Sequence, residues 1–199
     1  MRDLHGSKCW NTCSAKCRNE VQMKAVALTG TPGTGKSSVA NVLRKRGYNV
    51  KEVMELVQET GTPSGYSRKD DCMVVDTDEL TGRTASFWSE GDGITVVEGH
   101  LSHFASCSMA VVLRCSPSIL YDRLGKRGWE RSKILDNVRS EVLDVILIEA
   151  AERIKCIHEL DTSGTTAGRT ADKVERIIKG EHRSLPLKSR WRGEIEKWF

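Results

Sequence analysis

Residues 25–37 read Ala-Val-Ala-Leu-Thr-Gly-Thr-Pro-Gly-Thr-Gly-Lys-Ser. The last eight, Gly30 to Ser37, fit G-x-x-x-x-G-K-[ST], and their setting matters more than the pattern itself. The apolar run Ala25-Val26-Ala27-Leu28 precedes them, and a helical stretch from Ser38 through Leu43 follows and ends at Gly47. A strand that feeds a glycine-rich turn opening a helix is the geometry in which backbone N–H groups turn inward around phosphate oxygens. The helix N-terminus adds a favourable dipole. Lys36 is placed to reach β- and γ-phosphates and Ser37 to ligate Mg²⁺. A glycine-rich turn that merely happens to precede a helix would not bring strand, spacing and Lys-Ser pair together. The stretch implies a nucleoside triphosphate site.

Downstream, short apolar runs alternate with helix-like segments. Cys72–Asp76, Ile94–Val97 and Ala110–Arg114 read as buried strands, and Cys156–Asp161 as a last one. Ser116-Pro117 supplies an N-cap and a proline at the first helical position for a helix through Tyr121 and Leu124. Apolar residues at 134, 135, 138, 142, 145, 146 and 150 form a helical stripe along Ser132–Ile154. A final helix, capped by Thr170, is expected to run to Ile178. Continuous apolar strands separated by helices predict an α/β fold, a parallel sheet with helices on both faces. Ligands in such sheets bind at the carboxyl ends of the strands. The phosphate loop, Asp76 and Asp78, Glu98 and His100, and Arg114 all follow strand-like runs and are expected to converge on one crevice.

Glu98 ends the run Ile94-Thr95-Val96-Val97, where a carboxylate can orient the water shell of Mg²⁺ or position an attacking group. His100, two residues on, is either a hydrogen-bonding partner for a nucleophilic water or γ-phosphate, or a loop histidine bonded to backbone; His103 carries less weight. Asp76 and Asp78 either face the crevice or cap the next helix. Phosphoryl transfer is mainly positioning and charge stabilisation, so it calls for cations around the transferred group. Arg123, Lys126, Arg127 and Arg131 cluster around Gly125, Gly128 and Trp129, as in a short mobile cover that excludes water. Arg123 and Lys126 also suit a helix end that complements its own dipole, which leaves Arg127, at the Arg-Gly break, as the functional candidate.

At 199 residues, with 38% hydrophobic and 29% charged residues, the composition is that of one soluble domain with a real core. No apolar run approaches a membrane span, and the start lacks the apolar centre of a signal peptide, so a cytoplasmic protein is expected. The net charge of +4 sits in the tails: residues 1–22 carry four Lys/Arg against two Asp/Glu, and residues 179–199 carry six against three. That is either an electrostatic footprint for RNA or an acidic partner, or solvated tails. In the last segment Arg190, Trp191, Arg192 and Trp198 interleave charge with aromatics, which suits stacking on RNA or a terminal helix packing Ile195, Trp198 and Phe199 onto the domain. Of seven cysteines, Cys72, Cys107, Cys115 and Cys156 lie in or beside apolar runs, as reduced buried thiols do. The absence of C-x-x-C speaks against a ribbon-type zinc site or a thioredoxin-like pair. Cys9, Cys13 and Cys17, four apart, would share a helix face. Residues 1–22 read as a disordered extension or a segment before an internal start at Met23.

Taken in order, these motifs resemble the small adenylate-kinase-like family of archaea and eukaryotes implicated in small ribosomal subunit maturation. The resemblance covers about residues 23–178. It rests on Gly30–Ser37, Gly65-Tyr66 leading to Asp71-Cys72, Val75-Asp76-Thr77-Asp78, and Glu98-Gly99-His100. Val112-Leu113-Arg114 follows, then Leu120–Leu124 running into Arg127-Gly128-Trp129, and Asn137 with Glu141–Val145. It implies a phosphate-loop domain over 23–180, with a monophosphate-binding segment at 52–75 and a short lid at 126–136, followed by a basic tail at 181–199. It implies that Gly33, Thr34, Gly35, Lys36, Ser37 and Ser38 bind ATP, that Arg127 reaches it from the lid, and that Ser37 ligates Mg²⁺. The Glu98-x-His100 pair matches the family's acidic-x-His element, tied to hydrolysis, so Lys36, Glu98, His100 and Arg127 form the expected catalytic set. The family is described as having both nucleoside monophosphate kinase and ATPase activity, with AMP as the leading acceptor. Its members bind a small-subunit ribosomal protein transiently and release it on hydrolysis; a monomer is expected here. One departure stands out: Glu52 to Thr62 contains no basic residue to grip an acceptor phosphate, so Arg68 or Lys69 would have to substitute. The leader has no family counterpart.

Overall fold

The computed structural model describes residues 24–68, 72–88, 93–181 and 191–199. The leader with Cys9, Cys13 and Cys17, and also Lys69 and Arg190, lies outside the described residues. At the centre is β1 (Ala25–Thr29), buried along its whole length. It pairs in parallel with β5 (Thr95–Glu98) on one side and β6 (Met109–Arg114) on the other. Beyond them lie β2 (Asn49–Glu52) and β7 (Cys156–Asp161), giving a five-stranded parallel sheet in the order β2-β5-β1-β6-β7. Successive side chains of a strand point to opposite faces, so this sheet builds two cores. Ala25 and Ala27 join Val97, Ala110 and Val112 on one face. They are covered there by α2 (Val53–Glu59), α3 (Thr77–Ala85) and α6 (Val145–Arg153). Val26 and Leu28 join Val96, Val111 and Leu113 on the other face, under α1 (Lys36–Lys45) and α7 (Ala167–Ile178).

A third apolar cluster lies past the carboxyl edge of the sheet. Leu120 and Leu124 of α4 (Pro117–Gly125) pack there against Ile134, Val138 and Val142 of α5 (Arg131–Val142), and Trp198 of α8 (Ile195–Trp198) completes it. The chain end is therefore docked at Trp198, 9% exposed, while Phe199 is 62% exposed and Ile195 also lies open.

Several sequence expectations need correcting. Cys72–Asp76 is not a buried strand of the main sheet. β4 (Cys72–Val75) pairs antiparallel with β3 (Ser64–Ser67) in a separate hairpin that leaves Met73 and Val74 about half exposed. A four-residue apolar run reports extended backbone without saying which sheet takes it. In consequence Asp76 stays out of the crevice and caps α3, its Oδ1 accepting from the Glu79 N–H at 2.9 Å, with Asp78 exposed in the first turn. The Ser132–Ile154 stripe is two helices, broken at Asp144, whose φ of 58° lies in the left-handed region. The helix ending at Ile178, α7, is capped by Thr166, which accepts from the Arg169 N–H; Thr170 is buried within it, its hydroxyl donating to the Thr166 carbonyl. Cys107 and Cys115 carry free buried thiols as expected, but Cys156 is disulfide-bonded, so an apolar run around a cysteine does not by itself mark a thiol. Among the described residues no helix is long and apolar enough to cross a membrane.

Candidate nucleoside triphosphate site

The loop between β1 and α1 is shaped by what surrounds it. Gly30 has φ 137°, and a Cβ there would collide with the Leu113 carbonyl oxygen. Gly33 has φ 93° and abuts Leu120 and Leu124, so the loop presses directly onto α4. Gly35, φ 100°, turns the chain into α1. Lys36 is buried, its Nζ donating to the carbonyls of Gly30 at 2.8 Å and Thr31 at 3.1 Å. Burial lowers its pKa to about 8, against the opposing pull of Glu98 and Glu141. The ammonium is thus parked on the loop's own backbone beside the open N-terminus of a ten-residue helix, a place that favours anions.

A crevice of about 660 Å³ opens against the loop, lined by Pro32, Gly33, Gly35, Lys36, Ser37 and Ser38. Glu98, Gly99, His100 and Leu101 wall it from the end of β5, and Arg127, Trp129, Lys133, Asn137 and Ser140 from the turn between α4 and α5 and from α5 itself. Ile146 and Glu149 of α6 close the far end. Within it the Ser37 hydroxyl donates to Glu98 Oε1 at 2.9 Å, which sets two hard oxygen donors side by side. Among the described residues no cluster of three or more His, Cys, Asp and Glu could hold a metal. The hard oxygen donors of the Ser37–Glu98 pair fit a Mg²⁺ ion whose remaining ligands are phosphate and water. His100 is exposed, yet desolvation of its ring, then the charge of Lys36, lowers its pKa. It faces the crevice as a neutral imidazole at neutral pH.

A second hollow of about 290 Å³ lies on the other side of the loop, between Gly33, Thr34, Gly35 and Ser38, the turn residues Lys126 and Arg127, and Thr162, Thr165 and Thr170. Arg127 lines both spaces, and its charge is felt at Lys36. All the sequence-derived ATP and catalytic candidates, Gly33 through Ser38, Glu98, His100 and Arg127, are therefore gathered around one loop.

Arg114 is not part of the crevice wall. It is 3% exposed and carries four polar contacts: Glu141 Oε1 at 2.8 Å, the Glu141 carbonyl at 3.0 Å, Glu159 at 3.2 Å, and Asp144. This cluster breaks the long stripe into α5 and α6. Arg123 lines the second hollow and is held there, donating to the Thr162 carbonyl at 2.8 Å and reaching the Gly33 carbonyl at 3.4 Å. Within the expected monophosphate segment, no described residue lines the crevice. Lys51 is paired with Glu59 on α2 at 2.6 Å, and Arg83 with Glu79 at 2.8 Å. The sequence reading missed Glu149 and Thr162, and took Glu141 as part of the family-resembling run Glu141–Val145 without giving it a role. Thr162 had a usable signal, standing directly after β7 at the edge where ligands gather.

Comparison with known proteins agrees with this geometry. Residues 26–144 match the family described as an AAA domain. A protein of Archaeoglobus fulgidus named "Putative adenylate kinase" is 42% identical over 175 residues, covering 86% of this chain and 93% of its own. A protein of the same name from Methanothermobacter thermautotrophicus is 39% identical over 157 residues, covering 78% of this chain and 90% of its own. Among solved structures, the YorR protein of Bacillus subtilis, crystallised with phosphorylated GDP, superposes with a TM-score of 0.51 at 17% identity over 80% of this chain and 98% of its own, a likeness of fold alone. With more than half of the chain matched and both archaeal relatives covered almost end to end, the chain belongs to the AAA domain family of phosphate-loop proteins, in the company of these archaeal relatives.

Proposed function

We propose that this protein is a Mg²⁺-dependent nucleoside monophosphate kinase of the adenylate kinase type, moving the γ-phosphoryl group of ATP to AMP or a related monophosphate in the cytoplasm. The observation that carries the reading is the crevice in which Lys36, the Ser37–Glu98 pair and Arg127 face one another across the phosphate loop. The names of the archaeal relatives support the same acceptor class. On this reading Gly33 to Ser38 hold the triphosphate by backbone N–H groups, and Lys36 leaves the Gly30 and Thr31 carbonyls for the β- and γ-oxygens. Arg127 then bears on charge that spreads over the transferring group. The base and ribose occupy the hollow beside Thr162. Bound Mg²⁺ supplies charge neutralisation between the phosphates, and Glu98 with Ser37 fixes where it sits. The test is ADP production from ATP and Mg²⁺ with and without AMP: strong AMP dependence, with two ADP formed per AMP consumed, is expected, and no ADP formation with any monophosphate overturns the reading.

A second reading has its own observation. Among the described residues, Lys51 and Arg83 beside α2 are already paired with carboxylates and Arg68 is exposed on the hairpin, which leaves few described groups to grip an acceptor phosphate. His100 meanwhile faces the crevice neutral and suited to hold a water. This supports an ATPase cycle that changes affinity for a partner, which by family resemblance is a small-subunit ribosomal protein, in small-subunit maturation and rRNA processing. Such a switch requires ATP to bind partner-free and partner-bound states with different affinity. RNA contact through the basic tail belongs to this reading. AMP-independent hydrolysis that falls in His100→Ala while ATP binding holds would favour it; an unchanged hydrolysis rate removes His100 from the catalytic set.

A further inference from the structure

Thr31 is the point on which the phosphate loop turns. Its carbonyl accepts from Thr34 N–H at 3.2 Å, from Thr34 Oγ1 at 2.9 Å and from Lys36 Nζ at 3.1 Å. Its hydroxyl points the other way and donates to Glu141 Oε2 at 2.5 Å, a contact buried on both sides and spanning 110 residues of chain. Glu141 does not need this bond to stay in place. Its Oε1 already accepts from Arg114 Nε at 2.8 Å and from the Cys115 N–H at 3.0 Å, and the carboxylate is 2% exposed. One oxygen holds the helix to the sheet; the other reaches the loop.

What lies on the same helix gives this bond its meaning. Lys133, Asn137 and Ser140 line the crevice, and with Glu141 they fall at i, i+4, i+7 and i+8, one face of an α-helix. The helix begins at Arg131, directly after the turn that carries Arg127 and Trp129. A single rigid element thus bears the lid turn at one end, crevice-lining side chains along its face, and a buried carboxylate on the phosphate loop at the other. We propose that Glu141 is a positioning residue that ties the phosphate loop to the lid helix through Thr31, so that seating of the loop around the triphosphate and closure of the lid turn are one event. The proposal rests on the reading of this crevice as the ATP site.

The direct test is Thr31→Val, nearly isosteric and lacking only the hydroxyl, with Thr31→Ser as the conservative rescue. ATP affinity by calorimetry, together with kcat and KM, is read for each, alone and in an Arg127→Ala background. Thr31→Val is expected to weaken ATP binding about tenfold, the order of one lost buried hydrogen bond to a charged group, and Thr31→Ser to restore it. Because the bond acts through the lid helix, Thr31→Val adds less than about twofold once Arg127 is gone, by the logic of a double-mutant cycle. A Thr31→Val protein with wild-type affinity and kcat overturns the proposal. So does a penalty that multiplies in full with Arg127→Ala, which marks a local prop of the loop. Should Thr31→Val fail to fold, Thr31→Ala removes the same hydroxyl without adding a methyl group beside the Glu141 carboxylate. It is expected to give the same loss, and unaltered ATP binding in it is equally fatal. Wild-type protein that binds no ATP would sink the reading of the site itself, whereas wild-type binding with Thr31→Val unaffected sinks only the tie.

Discussion

Lys36 concentrates the site's electrostatics in one group. The ammonium is buried against two backbone carbonyls, and its pKa of about 8 lies well below the ordinary lysine value of 10.5 because burial outweighs the attraction of Glu98 and Glu141. Only the protonated form attracts phosphate oxygens. In the free enzyme that form is present below about pH 8 and is lost as pH rises through it, so kcat/KM for ATP should carry a descending limb near pH 8, since this ratio reports the ionisations of free enzyme. Lys36→Ala should abolish turnover at every pH. The assignment fails if wild-type kcat/KM stays level to pH 10, or if the alanine variant keeps measurable activity.

At the scale of elements, the turn between β5 and β6 shows how a short segment can hold a pH-dependent share of stability. His103, in the 3₁₀ turn Ser102–Phe104, is buried between Thr29, whose hydroxyl lies 3.1 Å from Nδ1, and Glu149 of α6, 3.2 Å from Nε2. Glu149 favours a charged ring, but burial first, then Arg153 and His100, outweighs it and brings the pKa to about 4. Between about pH 4 and 6.5 the unfolded chain therefore binds more protons at this residue than the folded one. The stability it confers is complete above about pH 6.5 and drains away as pH falls towards 4, by about 3 kcal/mol in all. Urea unfolding at several pH values should give His103→Asn a shallower acid dependence than wild type, and parallel profiles would remove His103 as the cause. The same scale shows what was legible in the sequence. β1, β5 and β6 were, because a strand covered on both faces must be apolar throughout; β7, at the sheet edge and reading Cys-Ile-His-Glu-Leu-Asp, was read as a strand although polar residues interrupt it. β2 was not, since an edge strand reading Asn-Val-Lys-Glu carries no periodic signal, and β4 was read into the wrong sheet. Lys36, Ser37, Glu98 and Arg127 stood out because the chemistry of each is written into its immediate neighbours. Glu141 and Thr162 did not, because a lone carboxylate or hydroxyl gains its role only from partners 26 to 128 residues away.

For the whole molecule, the question is how two well-covered sheet faces support a third region that, on the proposed reading, closes over the nucleotide. α4 and α5 flank the lid turn and rest on their own apolar cluster past the sheet edge, and the chain's last helix is part of that cluster. Trp198 packs with its ring centroid 5.5 Å from that of Tyr121 on α4, its carbonyl accepts from Arg139 Nε on α5 at 3.0 Å, and Lys197 donates to Ser118 at 2.9 Å. The last helix thus bridges both helices, and Trp198, one of the two tryptophans suited to stacking on RNA, is turned inward, while Trp191 is half-buried. Trp198→Ala leaves the backbone contact to Arg139 but opens a large hole between α4 and α5, which should cost about 3 kcal/mol, at the low end for a buried aromatic removed to alanine. A fall in melting temperature with RNA affinity unchanged is the expected pattern. The opposite pattern, unaltered stability with weakened RNA binding, would mean that in solution the last helix leaves its cluster and works as an arm. The lid would then have to be steadied by α5 alone, through Glu141 and the buried Arg114.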